Sequence, residues 1–126
     1  MKIATIVAAS LLGLMFIASS AVVLLNVAPS MDFPEGSPPA HFMAAMGPTG
    51  YMTFVKILEL AGGVLLIIPK TRNFGLLVLG PIIINILAYH VFVARAGVFD
   101  PMIIGICALA AFLLWAERKA FAGLLR

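Results

Sequence analysis

The sequence predicts an all-α protein, an integral membrane four-helix bundle with both termini in the cytoplasm and a short interfacial helix in the first outer loop. Of its 126 residues, 63% are hydrophobic and only 10% are charged, which leaves too little polar surface for a water-soluble domain of this size. Four apolar runs approach the roughly 20 residues that one helical crossing needs. The chain 1–126 is therefore expected to form a single transmembrane domain in contact with lipid.

The first crossing is predicted over residues 3–25, after a single basic residue, Lys2. A basic start and small residues near the end of the run also resemble a secretory signal peptide. The apolar stretch is longer than the roughly 7 to 15 residues of a cleavable core. We therefore expect a retained transmembrane helix.

The segment 26–50 changes to Pro, Gly, Ser and acidic residues and is predicted to be the one long loop. Within it, Ser37 and Pro38 are typical of an N-cap and a first helical turn, and Gly47 is typical of a stop, so a short helix is predicted over 38–46. Its apolar residues recur at helical spacing and suit the membrane surface or the mouth of the bundle; they are Pro39, Phe42, Met43 and Met46.

The other three crossings are predicted over residues 51–68, 74–93 and 102–116. Asp100 and Pro101 supply an N-cap and a first-turn residue for the last of them. The turn between the second and third crossings is short, so these two helices are expected to be antiparallel neighbours.

The basic residues predict the orientation of the bundle. Six of them fall on one side of the predicted crossings, whereas the opposite loops carry only Arg95; the six are Lys2, Lys70, Arg72, Arg118, Lys119 and Arg126. Positive loops face the cytoplasm, so both termini are placed there. The net charge of +3 then reflects topology, and no basic run or stripe suggests a nucleic-acid partner.

Two charged residues, Lys56 and Glu59, lie inside the second apolar run. Each costs on the order of 2.5 to 3.5 kcal/mol in a membrane helix unless it is paired or reaches water. Their i, i+3 spacing places them on one side of the helix, and Gly62 and Gly63 one turn later allow close approach of a neighbouring helix. Two interpretations stay open: an internal ion pair that fixes packing, or the lining of a polar pocket or proton path.

The third crossing carries the other polar core candidates, Asn85 and His90, after a helix-kinking Pro81. At about 1.5 Å per residue, Lys56 and His90 lie about 7 Å and Glu59 about 12 Å below the outer ends of their helices, with Asn85 near the middle of the bilayer. All four candidates therefore share the outer half. Asn85 and His90 are about 140° apart on an ideal helix, so we expect only one of them to meet the charged pair.

The sequence contains no pattern of a metal or redox site. Cys107 is the single cysteine and the methionines are scattered, so no metal site is predicted. Two interpretations of His90 stay open. Its side chain either makes a structural hydrogen bond, or it transfers protons or forms a hydrogen bond to a quinone. Haem ligation by His90 would require His41 or a partner chain as second ligand.

Two segments, KILELAGG at 56–63 and PIIINILAYH at 81–90, together with GPTGY before them, resemble the DoxX family of small bacterial membrane proteins. The resemblance covers about residues 33–114. It implies a four-helix membrane protein, and one branch of the family is associated with a thiosulfate to quinone oxidoreductase. The polar core candidates, the two helix-packing glycines and Pro81 correspond by position.

The first helix departs from that family pattern. Relatives often have Ser-Gly followed by Lys near its outer end, whereas this chain has Ser19, Ser20 and then Ala21. The first helix therefore lacks the cation that would bind a sulfur-containing anion. For this reason the thiosulfate activity of the family is not expected of this chain.

Together these observations predict a DoxX-like accessory or assembly subunit of a larger electron-transfer or quinone-linked complex in the bacterial cytoplasmic membrane. It is expected to lack an intrinsic cofactor, not to catalyse alone, and to bind other membrane subunits or further copies of itself. One alternative is a quinone-interacting oxidoreductase subunit that uses Glu59 and His90. Another is a small proton or solute transporter.

Overall fold

The computed structural model describes residues 2–27, 32–96 and 99–125, which contain helices and no strand. Residues 28–31 of the predicted loop, and Arg126 among the predicted cytoplasmic basic residues, lie outside this part. The α-helices are α1 (Lys2–Leu24), α2 (Pro38–Met46), α3 (Tyr51–Ile67), α4 (Arg72–Ala88), α5 (Pro101–Ala116) and α6 (Arg118–Ala122). Short 3-10 turns cover Pro69–Thr71 and Gly123–Leu125, and one π-helical turn covers Tyr89–Val93.

The helix starts read from the sequence are confirmed at two caps. The Ser37 hydroxyl accepts a hydrogen bond from the Ala40 amide at 3.4 Å, one residue before the proline that begins α2. The Asp100 carboxylate accepts from the Met102 amide at 2.9 Å and begins α5 in the same way. Each cap satisfies a backbone donor that the first helical turn leaves without a partner.

Helix α3 packs between α1 and α4, and α5 packs against both α1 and α4. Gly13 lies beside Ile67 and Gly63, and Ile17, one turn later in α1, lies beside Gly63, one turn earlier in α3 than Ile67; α1 and α3 therefore run antiparallel. A Cβ atom added to Gly13 would lie 2.8 Å from the Gly63 carbonyl oxygen, and one added to Gly63 would lie 2.8 Å from the Gly13 oxygen. The two backbones are therefore as close as glycine permits.

The other side of α3 makes an equally close contact with α4. A Cβ atom on Gly62 would lie 2.7 Å from the Leu79 side chain, and one on Gly75 would lie 2.7 Å from the Leu66 amide nitrogen. Gly62 and Gly63, predicted to permit helix packing, therefore face different neighbours. The α3 backbone is held from both sides near its C-terminal end.

Four fully buried leucines, Leu12, Leu66, Leu79 and Leu113, come one from each of α1, α3, α4 and α5 and form part of the hydrophobic core. We call them the leucine core. They lie toward the end of the molecule that carries α6, which we call the α6 end. The opposite end, where α2 lies, is the α2 end.

Two helical segments are long and apolar enough to cross a membrane, Lys2–Leu24 and Pro69–Val93. The pair α2 and α3 would provide a third if taken as one span, although its two parts meet at 80°. Helix α5 is apolar but shorter, with 16 residues. These lengths and compositions support a membrane protein.

Two features were not predicted from the sequence. The third apolar run does not stay α-helical to residue 93, because α4 continues through Pro81 and then widens into the π-helical turn. The second feature is α6, which follows α5 directly. There Arg118 stacks 4.5 Å from the Trp115 ring centroid and donates to the Trp115 carbonyl oxygen at 2.8 Å.

Candidate ligand cavity

A cavity of about 640 Å³ lies at the α2 end, between the N-terminal half of α3 and the C-terminal half of α4. Helix α2 contributes Phe42, Met43 and Met46 to its wall, which are three of the four residues of the predicted apolar stripe. The remaining lining residues are mostly apolar or aromatic and come from the first loop, from α3 and from α4 with its π-helical turn; they are Phe33, Tyr51, Met52, Val55, Lys56, Glu59, Ile82, Asn85, Ile86, Ala88, Tyr89, His90, Phe92 and Val93.

Helix α2 lies across the mouth of this cavity. It meets α3 at 80° after a short connection in which Gly50 has a positive φ of 80°. At its other side, the Phe42 ring packs on the Tyr89 ring with centroids 4.8 Å apart and planes tilted by 56°, a favourable arrangement for two aromatic rings. The short helix thus connects the two walls of the cavity and covers it.

The predicted ion pair forms the polar floor of the cavity. The Lys56 ammonium nitrogen is 3.2 Å from Glu59 Oε2 and donates to Oε1 at 3.5 Å. Only 16% of the Lys56 side chain and 5% of the Glu59 side chain are exposed. The ammonium group has three donor hydrogens, so the pair retains hydrogen-bonding capacity toward the cavity.

His90 lies in the π-helical turn, where the Ala94 amide bonds to the Tyr89 carbonyl oxygen at 2.9 Å in the i to i+5 pattern. His90 Nδ1 is 3.2 Å from the Ala96 carbonyl oxygen. A carbonyl oxygen can only accept, so Nδ1 carries the hydrogen of this bond. In the neutral ring Nε2 is then an acceptor that is free for a ligand.

Asn85 and His90 both line the cavity with Lys56 and Glu59, so the expectation that only one of them would meet the pair was wrong. The 140° separation assumed an ideal α-helix, and the π-helical turn changes the direction of the side chains that follow Ala88. The Asn85 amide nitrogen donates to the Pro81 carbonyl oxygen at 2.9 Å. Pro81 thus contributes to the orientation of a cavity residue without ending α4.

Sequence reasoning did not assign Tyr89 and Phe92 to the site. Both belong to the π-helical turn Tyr89–Val93 and line the cavity. His41 is exposed and does not line the cavity. The second histidine that haem ligation would need is therefore not at this site. In the described part of the chain, no group of three or more His, Cys, Asp or Glu side chains could hold a metal ion.

A second cavity, of about 210 Å³, lies on the other side of the ion pair and is bounded by α1 and α5. Its lining includes Lys56, Glu59 and Ile86, which also line the first cavity. The other lining residues are Met15, Phe16, Ser19, Met102, Ile103 and Ile106. The buried ion pair therefore lies between two cavities that are bounded by different helices.

Comparison with known proteins adds one relative. No family model matches the chain, and no solved structure matches it. The chain is similar to the uncharacterized protein YwoB of Bacillus subtilis (strain 168), with 34% identity over 76 residues. The matched segment is 60% of this chain and 48% of YwoB, so the chain spans about half the length of that relative.

Proposed function

We propose that this chain is a quinone-binding accessory subunit of a larger electron-transfer complex in the bacterial cytoplasmic membrane. The observation that carries the proposal is the first cavity, in which Lys56, Glu59, Asn85 and His90 meet within aromatic and aliphatic walls. Pockets for small ligands are mostly apolar, measure about 300 to 1,000 Å³ and contain a few convergent polar groups. The cavity has each of these properties.

The chemistry of the lining suits a quinone ring. A quinone presents a flat ring that can stack on Phe42, Tyr89 or Phe92, and two carbonyl oxygens that accept hydrogen bonds. Lys56 supplies a charged donor for one of them. The free Nε2 of His90 suits the hydroxyl group of the reduced ring, because that hydroxyl donates. The isoprenoid tail would extend along the apolar walls into the bilayer.

The proposal includes the four-helix membrane topology with both termini in the cytoplasm. It is supported by four apolar helices in antiparallel contact and by the six basic residues that share one side. It also includes membership of the DoxX family, which the two resembling segments support. In this arrangement α2 lies at the outer surface of the membrane.

The side chains around the cavity support an accessory role. Within the described residues, the side chains around the cavity include no cysteine pair and no group that could hold a metal, so electrons for a quinone would come from a partner subunit. What this chain offers is a binding site with a charged floor and a covering helix. Binding, orienting and exclusion of water are the steps that its own residues can perform.

Binding is tested with decyl-ubiquinone and a short-chain menaquinone on the purified chain in mild detergent. A ligand that binds only the folded state raises the free energy of unfolding by about 2.7 kcal/mol at 100 times its Kd, which a thermal melt detects. Val55→Trp should abolish this rise because Val55 lines the cavity. Ile57→Trp is the matched control, since Ile57 is on the same helix but 52% exposed and outside both cavities.

The accessory role is tested by mild purification from native membranes followed by mass spectrometry and an absorption spectrum. We expect a larger redox subunit to co-purify. The role is wrong if the purified single chain alone oxidises or reduces a quinone with a soluble donor or acceptor and Glu59→Gln removes that activity.

A further inference from the structure

We infer that the second cavity is a water-filled access route by which the Glu59 carboxylate exchanges protons with the aqueous phase at the α2 end alone. The first cavity is assigned to an apolar ligand, whereas the second is smaller and is bounded by α1 and α5. The ion pair belongs to both. Glu59 is therefore placed to face a ligand on one side and water on the other.

The position of the second cavity sets the direction of access. Ser19 near the end of α1 and Met102 at the start of α5 both line it, and these helix ends lie at the α2 end. Met102 is 50% exposed, whereas Ile106, one turn deeper on α5, is 6% exposed. The cavity thus extends from an accessible residue inward to the buried carboxylate.

The polar groups of the cavity are suited to holding water. Ser19 makes no hydrogen bond to another described residue, whereas the adjacent Ser20 hydroxyl donates to the Phe16 carbonyl oxygen at 2.6 Å. A buried water requires two to four polar partners and about 30 Å³ of liquid volume. Ser19, Lys56 and Glu59 provide such partners in a cavity of about 210 Å³, which has room for several waters.

Few other groups can exchange a proton with Glu59. Lys56 faces it from its own helix, and Tyr51, Tyr89 and His90 line the first cavity with it. From α1 the described lining of the second cavity contributes no titratable side chain, and α5 contributes only Met102, Ile103 and Ile106. Glu59 is thus the carboxylate that connects the two cavities.

Access from the α6 end is blocked by the leucine core. Its four side chains are 0% exposed and come from all four long helices. Neither cavity includes any of them in its lining. A proton that reaches Glu59 through water must therefore arrive from, and return to, the α2 end. The use of that proton by a bound quinone rests on the proposed function, but the presence of water does not.

The test is cysteine accessibility in sealed membrane vesicles, on a Cys107→Ser background because Cys107 is a free cysteine. The probe is a membrane-impermeant, positively charged methanethiosulfonate reagent, which modifies thiolates and hence thiols in contact with water. Thr49→Cys marks the α2 end, since Thr49 is exposed in the connection between α2 and α3. Vesicles in which Thr49→Cys reacts without permeabilisation expose the α2 end.

In those vesicles we expect Ser19→Cys and Met102→Cys to be modified to completion. Leu14→Cys is the control on the same helix as Ser19, because Leu14 is 57% exposed on the outward apolar surface and would contact lipid. It should stay unmodified. Size-exclusion chromatography checks the folding of each variant. Because Ser19 and Met102 are tested separately, one of them still gives a result if the other variant folds poorly.

The inference is overturned if Ser19→Cys and Met102→Cys are as unreactive as Leu14→Cys, or if they react only when the α6 end is exposed. The result is independent of quinone. Absence of a thermal shift with quinones would refute the proposed function while leaving the water route intact. Unreactive cysteines at Ser19 and Met102 would refute the water route while leaving the proposed function intact.

Discussion

At the scale of single residues, the charged pair is the feature that sequence and structure describe in the same way. The i, i+3 spacing of Lys56 and Glu59 in an apolar run already indicates that they face one side of a helix. The structure adds that they are in contact at 3.2 Å and nearly buried. The position of the charged pair between two cavities depends on residues of α1, α4 and α5. The local sequence of α3 therefore cannot predict it.

Lys56→Leu or Glu59→Leu alone should lower the free energy of unfolding by about 3 to 5 kcal/mol, because each leaves an unpaired buried charge. The double substitution should be much milder, since both charges are then absent. Denaturation in detergent measures all three variants. A loss in the double variant equal to the sum of the two single losses would show that the pair is not coupled in the folded state.

His90→Gln should abolish the thermal shift induced by reduced decyl-ubiquinone, because the imidazole Nε2 that would accept the hydrogen bond of the ring hydroxyl is replaced by an amide. His41→Gln is the control, since His41 is exposed outside the cavity. Titration with decyl-ubiquinol under anaerobic conditions measures both. A shift retained in His90→Gln and lost in His41→Gln would move the site away from the cavity.

At the scale of elements, caps and apolar runs could be read from the sequence because they depend on neighbouring residues. Ser37 with Pro38 and Asp100 with Pro101 are local signals, and the structure begins α2 and α5 there. The π-helical turn at Tyr89–Val93 has no such signal. It is accompanied by the packing of Tyr89 on Phe42, two residues 47 positions apart in the chain. The angle between Asn85 and His90 calculated for an ideal α-helix therefore does not apply across this turn.

Gly75→Ala should destabilise the contact between α3 and α4 by about 1 to 3 kcal/mol, as overpacking does in well-packed cores. The added Cβ would lie 2.7 Å from the Leu66 amide nitrogen and 3.0 Å from the Gly62 carbonyl oxygen, and neither backbone atom can rotate away. Gly80→Ala is a matched control on the same helix, with nothing within 4 Å. Thermal melts of both variants make the comparison, and equal stability would contradict the close packing.

At the scale of the whole molecule, the two ends differ in packing. The α2 end contains both cavities and the charged pair, whereas the α6 end contains the leucine core. The sequence predicted that the four polar core candidates share one half of the bundle, and all four line the first cavity at the α2 end. It could not predict the cavities, because cavity walls combine residues from segments far apart in the chain.

This asymmetry gives a prediction about transport. Proteoliposomes of the wild-type chain should show no proton flux above empty liposomes, because the leucine core closes the α6 end. A pH-sensitive dye inside the liposomes measures it. A flux that is lost in Glu59→Gln and kept in His41→Ala would instead establish a transporter.

Orientation can be checked separately. Alkaline phosphatase and green fluorescent protein fused after residue 126 should give fluorescence without phosphatase activity if, as proposed, the six basic residues keep that side in the cytoplasm. The reverse result would place the C-terminus outside.

The position of α2 over the cavity also determines which concentration of a ligand controls its binding. Because α2 lies over the cavity and turns by 80° from α3, an apolar molecule has its shortest route through the hydrocarbon phase, in which it already accumulates. Occupancy then follows the mole fraction of the molecule in the bilayer. Half-saturation should therefore scale with the ratio of ligand to lipid, and adding empty liposomes at a fixed total concentration should release the ligand from the protein.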